Sequence, residues 1–149
     1  MRFSRLVVVL LLVTGMGCGS GNTVKPTLEK VVPVSGTLTY QGKPLENYQV
    51  SFLPDDGRRA AVGITDASGK FTLGTNDLGD GAPPGKHKVT VTFAPPTTDD
   101  GATASPIDDP SLLPKPKVVI PSNYGDPLKT DLFQEVPSSG LTDLKLELK

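Results

Sequence analysis

Tryptophan is absent from this 149-residue chain, and cysteine and histidine occur once each. A lone cysteine has no partner for an intrachain disulfide. Zinc sites draw several ligands from His and Cys, and Cys18 and His87 alone do not supply them. Nucleophilic hydrolysis needs a Ser or Cys held beside a base and an orienting group. No Gly-x-Ser-x-Gly elbow occurs, and His87 has no serine motif beside it. No Gly-x-x-x-x-Gly-Lys phosphate loop is present either. No cofactor, metal site or catalytic residue is therefore expected. Basic and acidic residues nearly balance, 15 against 16, and the basic ones do not cluster, which argues against a nucleic-acid partner. Aromatic residues make up 5%, so a core must be built mainly from Val, Leu and Ile. The longest apolar run, Leu6 to Val13, falls well short of the ~20 residues that span a bilayer. After it, no window of a dozen residues keeps a helical apolar period, and 16 Gly with 15 Pro disfavour long helices.

What is present begins with an export signal. Arg2 and Arg5 precede the apolar run, and small residues follow it, which is the pattern of a cleaved leader. Gly15-Met16-Gly17-Cys18 resembles the lipobox of bacterial lipoproteins, in which cleavage leaves the cysteine as a lipidated first residue. Gly17 fits the small residue expected there, whereas Gly15 stands where a leucine is usual. The resemblance implies a signal peptide over 1–17 and acylation, palmitate included, at Cys18. Secretion with an incidental cysteine and an uncleaved anchor are the alternatives. Cleavage would remove Arg2 and Arg5 and leave every acidic residue, so the mature chain is the more acidic. Gly19 rather than Asp after the cysteine points, by analogy with other lipoproteins, to the outer membrane. Acyl chains would hold the protein to a membrane by lipid rather than by a helix. Residues 18–30 read as a flexible tether, polar and Gly-rich at its start.

From residue 31 onward the period is two, the mark of half-buried strands. Val32, Val34, Leu38 and Tyr40 share a parity, as do Tyr48, Val50 and Phe52. Residues 63–73, GITDASGKFTL, read as a hairpin: Val62 and Ile64 on one strand, Phe71 and Leu73 on the other. Its turn has Asp66 first and Gly69 fourth, suited to an Asp side chain that bonds its own backbone and a glycine in the left-handed region. His87, Val89, Val91 and Phe93 face one way on the clearest strand, and His87 there reads as a core residue. Thr130 to Val136 is a less regular strand, because Gln134 shares the parity of Leu132 and Val136. Leu144, Leu146 and Leu148 alternate with Lys145, Glu147 and Lys149 on a final strand. Two loops could be read as cation sites. Asp55-Asp56 lacks the alternating oxygen ligands of a calcium loop, and Asp77 with Asp80 reads as a surface loop. Residues 94–117 are rich in Pro, Asp, Ser and Thr, carry Asp99, Asp100, Asp108 and Asp109, and read as a mobile insertion. The whole is one all-β domain over 31–149. Strands with turns every eight to twelve residues favour an antiparallel sandwich or barrel.

Several of these residues together resemble the carboxypeptidase regulatory-like domain. They are Val34-x-Gly36-x-Leu38 with Gly42-Lys43-Pro44-Leu45, then Val50-x-Phe52-x-Pro54, then Gly63-x-Thr65-Asp66-x-x-Gly69-x-Phe71, then Gly85-x-x-x-Val89-x-Val91. Ile120-Pro121-x-x-Tyr124-x-Asp126-Pro127-x-x-Thr130-x-Leu132 is similar to a segment of small bacterial lipoproteins that carry this domain. The resemblance implies a transthyretin-like, seven-stranded antiparallel β-sandwich with no catalytic residues at these positions. Enzymes of that general fold that hydrolyse 5-hydroxyisourate use several His and Arg residues and a characteristic C-terminal tetrapeptide. This chain has one His, Arg58 and Arg59 side by side, and ends Leu-Glu-Leu-Lys. The implied role is a non-catalytic, lipid-anchored module of the cell envelope, structural or interacting with an envelope protein. The alternative is a carbohydrate- or peptide-binding module, although sugar sites usually stack rings on exposed aromatics and only Tyr40, Tyr48 and Tyr124 are tyrosines.

Overall fold

The structure, a computed structural model, describes residues 27–96 and 114–149. The leader 1–17, Cys18, most of the tether, and residues 97–113 of the insertion lie outside the described residues.

Two four-stranded sheets share one core. In the first, β1 (Val34–Tyr40) is central. On one side it pairs with the last strand, β8 (Leu141–Leu148). On the other side it pairs with β5 (Lys70–Thr72) and, past that, with the two-residue β2 (Lys43–Pro44). The second sheet runs β4 (Ala61–Ile64), β3 (Tyr48–Pro54), β6 (Gly85–Phe93), β7 (Phe133–Val136). Val34, Leu38, Phe71, Leu146 and Leu148 face Val50, Phe52, Val89, Val91 and Val136 across the interior. Burial of these ten side chains, each worth about 1.5–3 kcal/mol, is the main force holding the layers together.

The described residues hold eight strands, of which β2 has only two residues, where the family resemblance implies seven. The expectation of an antiparallel sandwich needs a correction, because β1 and β8 are parallel. They are the first and last strands of the fold, so the whole sandwich serves as their crossover connection. Their register shifts between Val34 and Gly36, where Asp143 takes a left-handed φ of 63°.

The hairpin reading of 63–73 needs a larger correction. Its two strands belong to different sheets: β4 pairs with β3, and β5 with β1. The hairpin register survives only at its ends. Asp66 N–H donates to Lys70 C=O, and Val62 and Gly74 exchange both backbone bonds. No ladder pair joins Ile64 to Thr72 between them. There Gly63 lies against Thr72, whose carbonyl oxygen would be 2.4 Å from any Cβ at that position. The buried parity of β4 is also the reverse of the expected one. Ala61 and Gly63 face in, while Val62 and Ile64 face solvent.

Candidate functional site

The described domain has two distinct ends. At one end the chain enters and is clasped. Glu29 N–H donates to Asn76 Oδ1 at 2.9 Å, and Asn76 Nδ2 donates to the Glu29 carbonyl at 3.0 Å. Val32 then pairs with Ala82 through both backbone bonds. The loop that does this is built on Asp80. Its Oδ1 accepts from Thr75 N–H, and its Oδ2 accepts from Asn76 N–H and Asn76 Nδ2. Burial pushes the Asp80 carboxyl up, but these amide donors outweigh it and hold the group below the usual carboxylate value. The oxygens that a cation would need are thus taken by N–H donors.

At the other end the two roots of the insertion meet. Ala94 N–H donates to Asn47 C=O, and the returning chain, residues 114–121, crosses the end of β3. Tyr48 O–H donates to the Val118 carbonyl, and Lys117 Nζ pairs with Glu46 Oε2 at 2.5 Å. A 3₁₀ turn, Ser122–Gly125, lies over β6, with Gly125 against Thr92 and Val91. Asp126 then accepts from Leu128 N–H through Oδ1, and its backbone carbonyl accepts from Thr130 N–H. Thr130, buried, donates to the Val89 carbonyl. Tyr124 O–H donates to the Lys149 carbonyl and accepts from Lys149 N–H, closing the second sheet against the first.

Along one flank, between β4 and the 74–79 loop, runs an open groove of about 1000 Å³. Val62, Ile64 and Leu78 supply its apolar lining, and Asp66, Lys70, Thr72, Thr75 and Asp77 its polar rim. The Asp66 turn closes one end. Asp66 Oδ1 accepts from Ser68 Oγ at 2.7 Å, Ser68 N–H at 2.8 Å and Lys70 N–H at 3.0 Å. The Ser68 hydroxyl, with the two amides, keeps this carboxyl below its ordinary value. Gly69 sits at φ 75° with its backbone against the Leu38 carbonyl. Both residues serve the turn.

His87 is sealed inside the second sheet. Its Nδ1 lies 3.0 Å from the Gly85 carbonyl, and its ring packs beside Phe52 at 5.7 Å. Nε2 has no partner among the described residues. Burial pushes the imidazole below its usual value and the Gly85 carbonyl only partly offsets this, so the ring is neutral at pH 7. Tyr48 is buried, Tyr40 and Tyr124 are half-buried, and the Tyr124 hydroxyl is tied to Lys149. Among the described residues no three His, Cys, Asp or Glu side chains come together as metal ligands, and no helix is long and apolar enough to cross a membrane. Cys18, Asp99, Asp100, Asp108 and Asp109 lie outside the described residues. The clasp residues Asn76 and Asp80 are the functional candidates that strand periodicity misses. Their only sequence signal is a polar Asx-rich loop. Compared with family models, curated proteins and solved structures, the chain matches none.

Proposed function

We propose that this chain is a non-catalytic module of the cell envelope, exported and anchored by lipid at Cys18, with a domain of the carboxypeptidase regulatory-like kind. The observation that carries the reading is the leader-like run ending at Cys18, set a short way before Glu29, where the first clasp among the described residues lies. A polar segment joins the two, as an anchor and a folded domain require. The two-sheet core and the turn motifs at Asp66 and Asp126 support the domain assignment. The engagement of its polar side chains supports a non-catalytic role. His87 is sealed in the core, both carboxylate oxygens of Asp80 and the Oδ1 of Asp66 accept from donors of their own loops, and Thr130 bonds a strand carbonyl. Each of these groups holds backbone.

Metabolic labelling with palmitate tests the anchor. The native protein should incorporate label, and globomycin should block its processing. Cys18→Ala should abolish both labelling and membrane association. An unlabelled native protein would exclude lipid attachment.

A further inference from the structure

Seven large apolar side chains stand exposed among the described residues, and four of them, Leu28, Val62, Ile64 and Leu78, flank the tether's point of entry and the groove beside it. Leu28 is 71% exposed and directly precedes the Glu29–Asn76 clasp. Leu78, 102% exposed, lies two residues beyond Asn76 at the tip of the same loop. From there the groove continues past Val62 and Ile64. Neither strand geometry nor the turn requires Leu at position 78.

We propose that this flank is a bilayer-contact face, with Leu28 and Leu78 entering the interfacial region of the membrane. The proposal rests on lipid attachment at Cys18. Nine residues lie between Cys18 and Leu28, so even a fully extended tether spans no more than about 35 Å. An anchor that short keeps the clasped end of the domain continually near the lipid surface, at a high effective concentration. Apolar side chains that meet the interface there add their own burial to that of the acyl chains.

The lining favours lipid over other occupants. A peptide that adds as a strand needs a run of free backbone groups. Val62 already exchanges both of its bonds with Gly74, and Asp66 with Lys70 closes the other end. A sugar needs an aromatic platform, and the groove is aliphatic apart from the buried Phe71. The rim carries Asp66, Asp77 and Lys70, with Glu29 and Lys30 beside the clasp. Charges of both signs alternate, so contact should not depend on anionic lipid.

The test uses the full acylated protein, in which the Cys18 sulfur is blocked. Leu78→Cys is labelled with an environment-sensitive fluorophore and the protein is reconstituted on phosphatidylcholine vesicles, with and without phosphatidylglycerol. Phe133→Cys, on the opposite edge of the second sheet, is the control. Emission at position 78 should rise several-fold on either vesicle and be quenched by bromine-labelled acyl chains, while position 133 stays unchanged. Protein that floats with the vesicles but stays dark at position 78, or brightens equally at both positions, overturns the contact face and leaves the anchor standing. Protein that fails to float overturns both readings. Emission at position 78 that rises with protein concentration in the lipid-free Cys18→Ala chain assigns the face to a second copy and also overturns the proposal.

Discussion

His87 places an imidazole between Phe52 and the carbonyl of Gly85, with Arg58 repelling and Asp55 and Asp56 attracting its proton from the neighbouring loop. Desolvation wins, and the folded pKa lies below the ordinary 6.5. Above about pH 6.5 both folded and unfolded chains hold a neutral ring, and His87 leaves stability unchanged. Below it the unfolded chain takes the proton first. Stability should therefore fall as pH falls, until the folded ring titrates as well. Urea midpoints measured from about pH 7.5 down to about 5 should show this decline, and His87→Leu should flatten it. A glycine pair separates two other effects at the same scale. Gly42 and Gly69 have nearly equal φ, 76° and 75°. A Cβ at Gly42 meets nothing within 4 Å, whereas one at Gly69 lies 2.5 Å from the Leu38 carbonyl. Gly42→Ala should cost about 1–2 kcal/mol from the left-handed backbone alone. Gly69→Ala should cost clearly more, and equal chemical-denaturation midpoints for the two would refute the close packing of the turn on β1.

Among the elements, β6 and β8 were readable because their alternation is carried by large side chains: Val89 and Val91 in one, Leu146 and Leu148 in the other. β4 was not. Its inward positions are Ala61 and Gly63, too small to register as a hydrophobic face, and the larger Val62 and Ile64 line the outer groove. Gly63 is small for a reason that only tertiary structure reveals, namely the Thr72 carbonyl lying against it. Thr90 shows the same lesson from the polar side. Its parity puts it on the outer face, yet it is buried, on the strand that the Ser122–Gly125 turn contacts. Residues 114–121, read in the sequence as the end of the insertion and the start of the Ile120-Pro121 segment, form a strap held by the Tyr48 hydroxyl. Burial raises the Tyr48 pKa, so its phenol stays protonated and donates to Val118 at any physiological pH. Tyr48→Phe should cost about 1 kcal/mol and loosen the strap selectively. Limited trypsin digestion should then cut faster after Lys117, with cleavage after Lys88 in β6 unchanged. Unaltered cleavage at Lys117 would show that the strap is held by other contacts.

At the scale of the molecule, the all-β class follows from composition and period two, which leave sandwich and barrel open. Sheet membership does not, because period two reports which face a residue shows and is silent on which strand lies beside it. The clasp at Glu29 was illegible for a similar reason. It joins backbone at position 29 to a side chain at position 76, and neither carries a pattern. Its effect on the whole is to fix where the chain leaves the fold. β6 measures about 26 Å from Gly85 to Phe93 at ~3.3 Å per residue, and the clasp lies near its first residue while the insertion roots lie near its last.

The parallel pairing of the first and last strands has a mechanical side. β1 begins beside the clasp, and β8 ends at the far pole against Tyr124. A pull on Leu28 opposed by a pull on Lys149 acts along both strands in opposite senses. Hydrogen bonds between them are then sheared together and must break together. A pull between Leu28 and Gly140, which lies beside Pro33 at the near pole, would instead peel the same ladder open one bond at a time. Single-molecule stretching should record the higher rupture force for the first pair of handles. Equal forces would mean that the β1–β8 ladder is not what resists. A domain held at one pole and loaded at the other would gain from this arrangement a resistance to tension that its modest size alone does not supply.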